Sequence, residues 1–388
     1  MTRMLCTILR FTAAVSCLVI ASGSAANAEK RGVKPELESM RPIVLSQSND
    51  HLIPRNLLKL LHAPEVQQEL GLSAEKVTQM EDELFAKADG PWFRARSLAS
   101  VEAEHKQLQR VERLVHSWLV KNFDAEQKQR LLQLEYQSQN LRAFLRKDVA
   151  KRLELSADQV SRYEELAKAS YDALRTFTRA QYSSSGPTEA QRSAVVAASE
   201  AEQKGFKEIF KPEQIQNFIA MAGELFDIAS LKRVHPMAPE FKSVKHWINS
   251  SPIKLRDLRG KVVLVHFYAS ECYNCHNNFP IYREWEDELA KKGVVLIGIQ
   301  TPEISVEADP AHVRAEAKAK NLDHPILIDL DNENWNAYGN TMWPCVYVID
   351  QNGYLRKFQM GELRWKGATY DQDIEKLVDE LLAEGSSS

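Results

Sequence analysis

The sequence predicts two dissimilar parts, an all-α region followed by an α/β unit built on a mixed sheet. Three observations carry this. Apolar residues recur at three- and four-residue spacing from Leu57 to about Leu231. After Pro236 the pattern changes to short, continuous apolar runs. The first three of those runs are separated by helical stretches, and the last two by Asn352-Gly353, a tight-hairpin signal. With 388 residues the chain also exceeds what one hydrophobic core usually serves.

Composition narrows the class without choosing a function. The chain is 44% hydrophobic and 27% charged with few glycines and prolines, which excludes disordered and collagen-like chains. A net charge of −3 gives no electrostatic footprint for nucleic acid.

At the N-terminus, Arg3 and Arg10 precede an apolar stretch from Phe11 to Ile20, and Ala26-Asn27-Ala28 follows. This order matches a secretory signal cleaved after Ala28, and the apolar run is short for a membrane span. The protein is therefore expected to be exported to the periplasm or cell envelope. Of five cysteines, Cys6 and Cys17 leave with residues 1–28. Residues 29–50, with Pro35, Pro42 and no clear period, are expected to form a flexible lead-in.

A helical domain is assigned to residues 51–234. Leu108, Val111, Val115, Trp118 and Leu119 fall on one helix face, and Leu131, Leu134, Leu141, Phe144 and Leu145 on the next. Ser156 and Gln159 have the spacing of a capping box, Asp124 and Gln127 resemble one, and Pro212 suits a first helical turn. Ser183-Ser184-Ser185-Gly186-Pro187 reads as a break between helices. The region also echoes itself. Val66, Leu70, Leu72 and Ser73 return as Val149, Leu153, Leu155 and Ser156, and Phe123, Glu126 and Gln127 as Phe210, Glu213 and Gln214. An offset on the order of 85 residues is long for a solenoid and favours a duplicated helical unit. The phrasing resembles the helical LTxxQ modules of the bacterial envelope. Such a domain either acts as a scaffold or binds a partner, and homodimerisation through it stays open.

A second domain is assigned to residues 235–384, with a disordered tail at 385–388. Strands are expected at 262–268, 294–299, 325–328, 346–349 and 354–360. Between the first two lies Cys272-Tyr273-Asn274-Cys275, directly after an apolar strand and at the head of a helix expected to run to about Lys292. In an exported chain with only three remaining cysteines, this spacing points to chemistry rather than to a disulfide scaffold. A thiol exchanges as thiolate, and N–H groups at a helix start favour negative charge. Cys272 is thus the expected nucleophile, and Cys275, one turn on and more buried, the resolving thiol. The same spacing followed by His276 also matches a haem attachment pattern, and Cys345 and His276 could complete a zinc site. The motif lies between a buried strand and a helix, which does not suit haem, and nothing supplies a second spaced ligand set for zinc, so no cofactor and no metal are expected.

Several stretches carry a family resemblance. These are Leu258-Arg259-Gly260-Lys261 with the strand that follows, Cys-x-Asn-Cys with Pro280 five residues later, and Thr301-Pro302-Glu303. Trp335 to Asn340, Trp343-Pro344 and Tyr347 to Asp350 complete the set. From about Pro239 to Leu382 the chain resembles the TlpA/ResA branch of the thioredoxin superfamily, and within it the thioredoxin-like domain of DipZ-type proteins. The resemblance implies a thioredoxin fold and thiol–disulfide exchange. It makes Pro344 a cis-proline facing the cysteines, leaving the Trp343 backbone to pair with a substrate chain. It places Glu303 near the pair, either tuning proton transfer at Cys275 or lying on the surface.

Departures from the family pattern are equally specific. Glu271 stands where many members have Trp, and a carboxylate there is expected to oppose thiolate formation. His266 takes the strand position of a buried acid, as a core histidine or a participant in proton traffic. His276 is expected to be solvated. Cys345 follows the proline, as an inert buried thiol or an alternative disulfide partner. The partners this implies are thiols and disulfides of envelope proteins and a membrane electron donor. A peroxiredoxin-like peroxidase would want a Thr and a Pro ahead of the attacking cysteine, and His266 to Glu271 supplies neither. A partner-binding protein with a redox-sensing domain is the non-enzymatic alternative.

Overall fold

The computed structural model describes residues 50–95, 100–181, 186–242 and 245–385. The expected signal and all but the last residue of the lead-in lie outside the described residues, as do 183–185 of the break between helices. Gly385, expected to open the tail, instead ends a helix, Tyr370–Gly385. The described residues form two compact units, one within 50–73 and Val115–Val234, the other within Ala74–Leu114 and 235–385.

The first unit is helical, and its echoed residues make equivalent bonds. Helices Pro64–Glu69 and Lys147–Arg152 bury Val66 and Val149. Each ends the same way: Leu70 N–H donates to the Val66 carbonyl and Leu72 N–H to that of Gln67, while Leu153 and Leu155 repeat this on Val149 and Ala150. This 6→1 closure needs a left-handed residue, supplied by Gly71 at φ 61° and by Glu154 at φ 51°. The later motif repeats too, since Gln127 Nε2 donates to the Leu70 carbonyl at 3.3 Å and Gln214 Nε2 to that of Leu153 at 3.4 Å. The capping boxes at Asp124 and Ser156 form as their sequences predict. One expected helix is shorter: Ala125–Gln139 stops at Asn140, with φ 53°, and Leu141 to Leu145 continue as a 3₁₀ segment. That break delivers Arg146 into the interior. Its guanidinium donates to Asp148, Glu135 and Gln139 within 3.1 Å and lies 4.8 Å from the Tyr136 ring centre.

The second unit holds a six-stranded sheet. Its strands are β1 Trp247–Ile248, β2 Val263–Tyr268, β3 Val295–Gln300, β4 Ile326–Ile328, β5 Cys345–Ile349 and β6 Leu355–Met360, in the order β1-β4-β3-β2-β5-β6. β2, β3 and β4 are parallel; β1, β5 and β6 run against their neighbours. The two-residue edge strand β1 has no apolar run of its own to announce it. Every residue of β2 is buried because both faces are covered. Leu264 and Tyr268 face a core with Cys275, Tyr282 and Trp285, while Val263, Val265 and Phe267 face one with Tyr338, Cys345 and Tyr347.

Ala74–Leu114, assigned from sequence to the helical domain, packs with the strands. Met237 N–H donates to buried Asp89 at 2.7 Å, and the Tyr354 hydroxyl to Glu81 at 2.6 Å. Phe93 meets Phe358 edge-on at 5.7 Å and packs against the second core. These apolar and polar demands come from the sheet, which helical periodicity does not reveal.

Candidate redox site

β2 leads through buried Ala269 and Ser270 to Glu271 and then Cys272, which caps a one-turn helix, Tyr273–His276. The Cys272 carbonyl accepts from Cys275 N at 3.0 Å and His276 N at 3.2 Å. The helix expected to reach Lys292 is interrupted at Asn277 and restarts as Phe279–Leu289. Pro280 explains the break, for it has no N–H to give the preceding turn. Local N–H groups therefore act on Cys272, rather than the dipole of a long helix. Buried Asn278 braces the junction: Oδ1 accepts from Leu363 N at 2.9 Å and Nδ2 donates to the Tyr282 hydroxyl at 3.1 Å.

The two thiols differ in kind. Both are unbridged; Cys272 is partly exposed and Cys275 fully buried. The Cys275 thiol donates to the Cys272 sulfur and holds it below the usual thiol range, helped by the N–H groups of Cys275 and Asn274. Burial and the Glu303 carboxylate oppose this. For Cys275, burial comes first, then the bond to Cys272, and both push its thiol well up, with Glu303 adding to them. Of the two sulfurs, that of Cys272 is biased toward thiolate and that of Cys275 toward thiol.

The remaining expected residues separate. Trp343-Pro344 is cis, Trp343 stacks on Trp335 at 4.1 Å, and Trp343 and Cys272 both pack against the core that holds Cys275. Glu303 is exposed, and its charge reaches both sulfurs. Glu271 turns aside: its carboxylate meets His312 Nε2 at 2.7 Å, and the charge acting against the thiolate is that of Glu303. His276 is not simply solvated, since its Nε2 donates to the Ser270 carbonyl at 2.7 Å, a bond that ties the one-turn helix to the loop before it. Cys345 is buried on the far face of the sheet from Cys275, with Sγ donating to the Met342 carbonyl at 3.2 Å. That placement accounts for it as a packing residue of β5.

His266 is fully buried, stacked 4.1 Å from Tyr282, with Nε2 2.7 Å from His324 Nε2. His324 Nδ1 in turn lies 3.3 Å from Glu286. Burial and the neighbouring His324 hold His266 well below the ordinary histidine range, so its ring is neutral. Sequence reasoning missed His312, His324, Glu286 and the buried carboxylates Glu307 and Asp329. Each acts through a partner distant in sequence. Among the described residues, no group of three or more His, Cys, Asp or Glu side chains is arranged to hold a metal ion.

A two-thiol helix head after a central strand of a mixed sheet, with a cis-proline just ahead of the strand paired to it, defines a thioredoxin-like domain. Residues 234–358 match the model of the AhpC/TSA family. The chain is 32% identical over 139 residues to the thioredoxin-like protein YneN of Bacillus subtilis, spanning 36% of this chain and 78% of that protein. By this match it belongs to the thioredoxin-like family. It is also 37% identical over 128 residues to the protein DipZ of Mycobacterium tuberculosis, covering 32% of this chain. The match spans only 18% of the DipZ length. Thiol-disulfide oxidoreductase YkuV of Bacillus subtilis is 29% identical over 154 residues, 40% of this chain and 99% of that one. The solution structure of a thioredoxin-like protein in its oxidized form has 28% identity and a TM-score of 0.34, covering 39% of this chain and 97% of that chain.

Proposed function

We propose that the protein is an exported thiol–disulfide oxidoreductase that exchanges electrons with cysteines of other envelope proteins through Cys272 and Cys275. The observation that carries this is the asymmetry of the pair, an accessible sulfur biased toward thiolate beside a buried sulfur biased toward thiol. The Cys272 thiolate attacks one sulfur of a substrate disulfide; that bond breaks, a mixed disulfide forms and the other substrate sulfur leaves as thiolate. Cys275 then gives up its proton and attacks Cys272, releasing the second substrate thiol. Two electrons pass to the substrate, and the protein is left with a Cys272–Cys275 disulfide. The opposite direction runs the same steps in reverse. The Glu303 carboxylate, whose charge acts on both sulfurs, favours the protonated form of each. An extended substrate chain would pair with the backbone at Trp343, next to the cis bond. Export rests on the N-terminal segment, and no described helix is long and apolar enough to cross a membrane.

The test is capture. Cys275→Ser in the mature protein should accumulate disulfide-linked envelope proteins that dithiothreitol releases, and Cys272→Ser should accumulate none. Equal capture by both variants, or purely non-covalent partners, would refute the exchange role. Titration of the wild-type pair against glutathione then gives direction: about −270 mV marks a reductant and about −120 mV an oxidant.

A further inference from the structure

Glu307 is fully buried and forms no ion pair among the described residues, yet four donors converge on its carboxylate. Oε1 accepts from Glu271 N at 2.6 Å and from the Ser270 hydroxyl at 3.4 Å. Oε2 accepts from Glu303 N at 2.6 Å and Ile304 N at 2.9 Å. The backbone of Glu307 is itself fixed, its N–H donating to the Ile304 carbonyl and its carbonyl accepting from Gln300 Nε2 at the end of β3. One oxygen thus holds the Ser270–Glu271 peptide, one residue ahead of Cys272. The other holds the peptide that carries Glu303. Four donors on two oxygens is a demand that a carboxylate meets and an amide cannot, because an amide turns its NH₂ toward one of the two pairs.

We propose that Glu307 is a positioning residue of the redox pair, clamping the segment before Cys272 to the segment bearing Glu303 so that the Glu303 carboxylate acts on the thiols from a fixed place. The proposal rests on the exchange reading above only for its consequence. The geometry it invokes is testable without any substrate. The other titratable groups about the pair are Tyr268 and Tyr282 beneath it, both pushed up by burial, the Glu271–His312 pair at the loop, and His276 on the one-turn helix. None of them bridges the two segments as Glu307 does.

The experiment follows Cys272 alkylation by iodoacetamide against pH in the full-length mature protein, with native circular dichroism checked for each variant. Glu303→Gln removes a charge that opposes the thiolate, so its midpoint should move to lower pH. Glu307→Gln should move the midpoint the same way while leaving Glu303 in the chain. Glu303→Gln with Glu307→Gln should move it no further than Glu303→Gln alone. Glu307→Asp, which keeps both oxygens on a shorter arm, should recover part of the wild-type position and covers the event that Glu307→Gln fails to fold. A Glu307→Gln midpoint equal to wild type in a folded protein, or a Glu307→Gln shift that persists undiminished in the Glu303→Gln background, would overturn the proposal. Failure of the exchange reading would appear elsewhere, as a Cys275→Ser variant that captures no partner while the alkylation midpoints still respond.

Discussion

Acidification below about pH 6.5 should destabilise the sheet-bearing unit along a slope that belongs to His266. Its imidazole is fully buried, and Nδ1 has no hydrogen-bond partner in the described structure. A proton added there meets two stacked tyrosines and the His324 ring, and no carboxylate touches it directly. The folded value lies well below the ordinary one. Between the two, the unfolded chain binds a proton that the native state does not, so stability rises with pH across that window. Stability is lost as pH falls from about 6.5 toward the folded value, by up to about 1.4 kcal/mol per pH unit for one proton. His266→Gln keeps an N–H able to reach His324 and cannot titrate. Urea unfolding from pH 7.5 to 5, followed by tryptophan fluorescence, should give wild-type and variant stabilities that run parallel above pH 6.5 and converge or cross below it. Curves that stay parallel throughout would show that His266 takes up its proton in the native state and refute the neutral buried imidazole.

Two further substitutions probe the supports. Gly298 pairs with His266 across β2 and β3, and a Cβ there would lie 3.0 Å from the imidazole Nε2 and 3.1 Å from Ile326. Gly298→Ala should cost about 1–3 kcal/mol in urea unfolding, because a ring held by two tyrosines and His324 has little room to retreat. In the helical unit, Arg146→Met should cost about 3–5 kcal/mol by leaving buried Glu135 without its cation, and Glu135→Gln in the same chain should recover much of it.

The helical half and the strands were legible because both write themselves as periodicity, and the cysteines because their spacing follows a strand. The Asp124 and Ser156 caps were legible for the same reason, being local bonds between residues three apart. What the sequence hid is long-range. Glu307 is one acid among several after Pro302, and only the fold aims its oxygens at Glu271. His324 matters because β4 brings it against His266, a juxtaposition with no local signature. Glu271 was misjudged from adjacency alone: it is next to Cys272 in the chain, but its carboxylate turns to His312. The early stop at Asn140, after which Arg146 enters a buried network, is something helical spacing cannot express.

The placement of Ala74–Leu114 bears on how this protein can be cut. A fragment starting at His235 would keep all six strands and both redox cysteines, yet it would lack Phe93, Asp89 and Glu81. The aromatic face formed by Tyr347 and Phe358 would then lie open, with the Met237 N–H and the Tyr354 hydroxyl deprived of their carboxylates. The thioredoxin-like unit is therefore a split domain, stitched from two stretches of chain with helical segments between them. Any shortening or transplant of the redox half has to carry the 74–114 stretch along, or supply another cover for that face of the sheet.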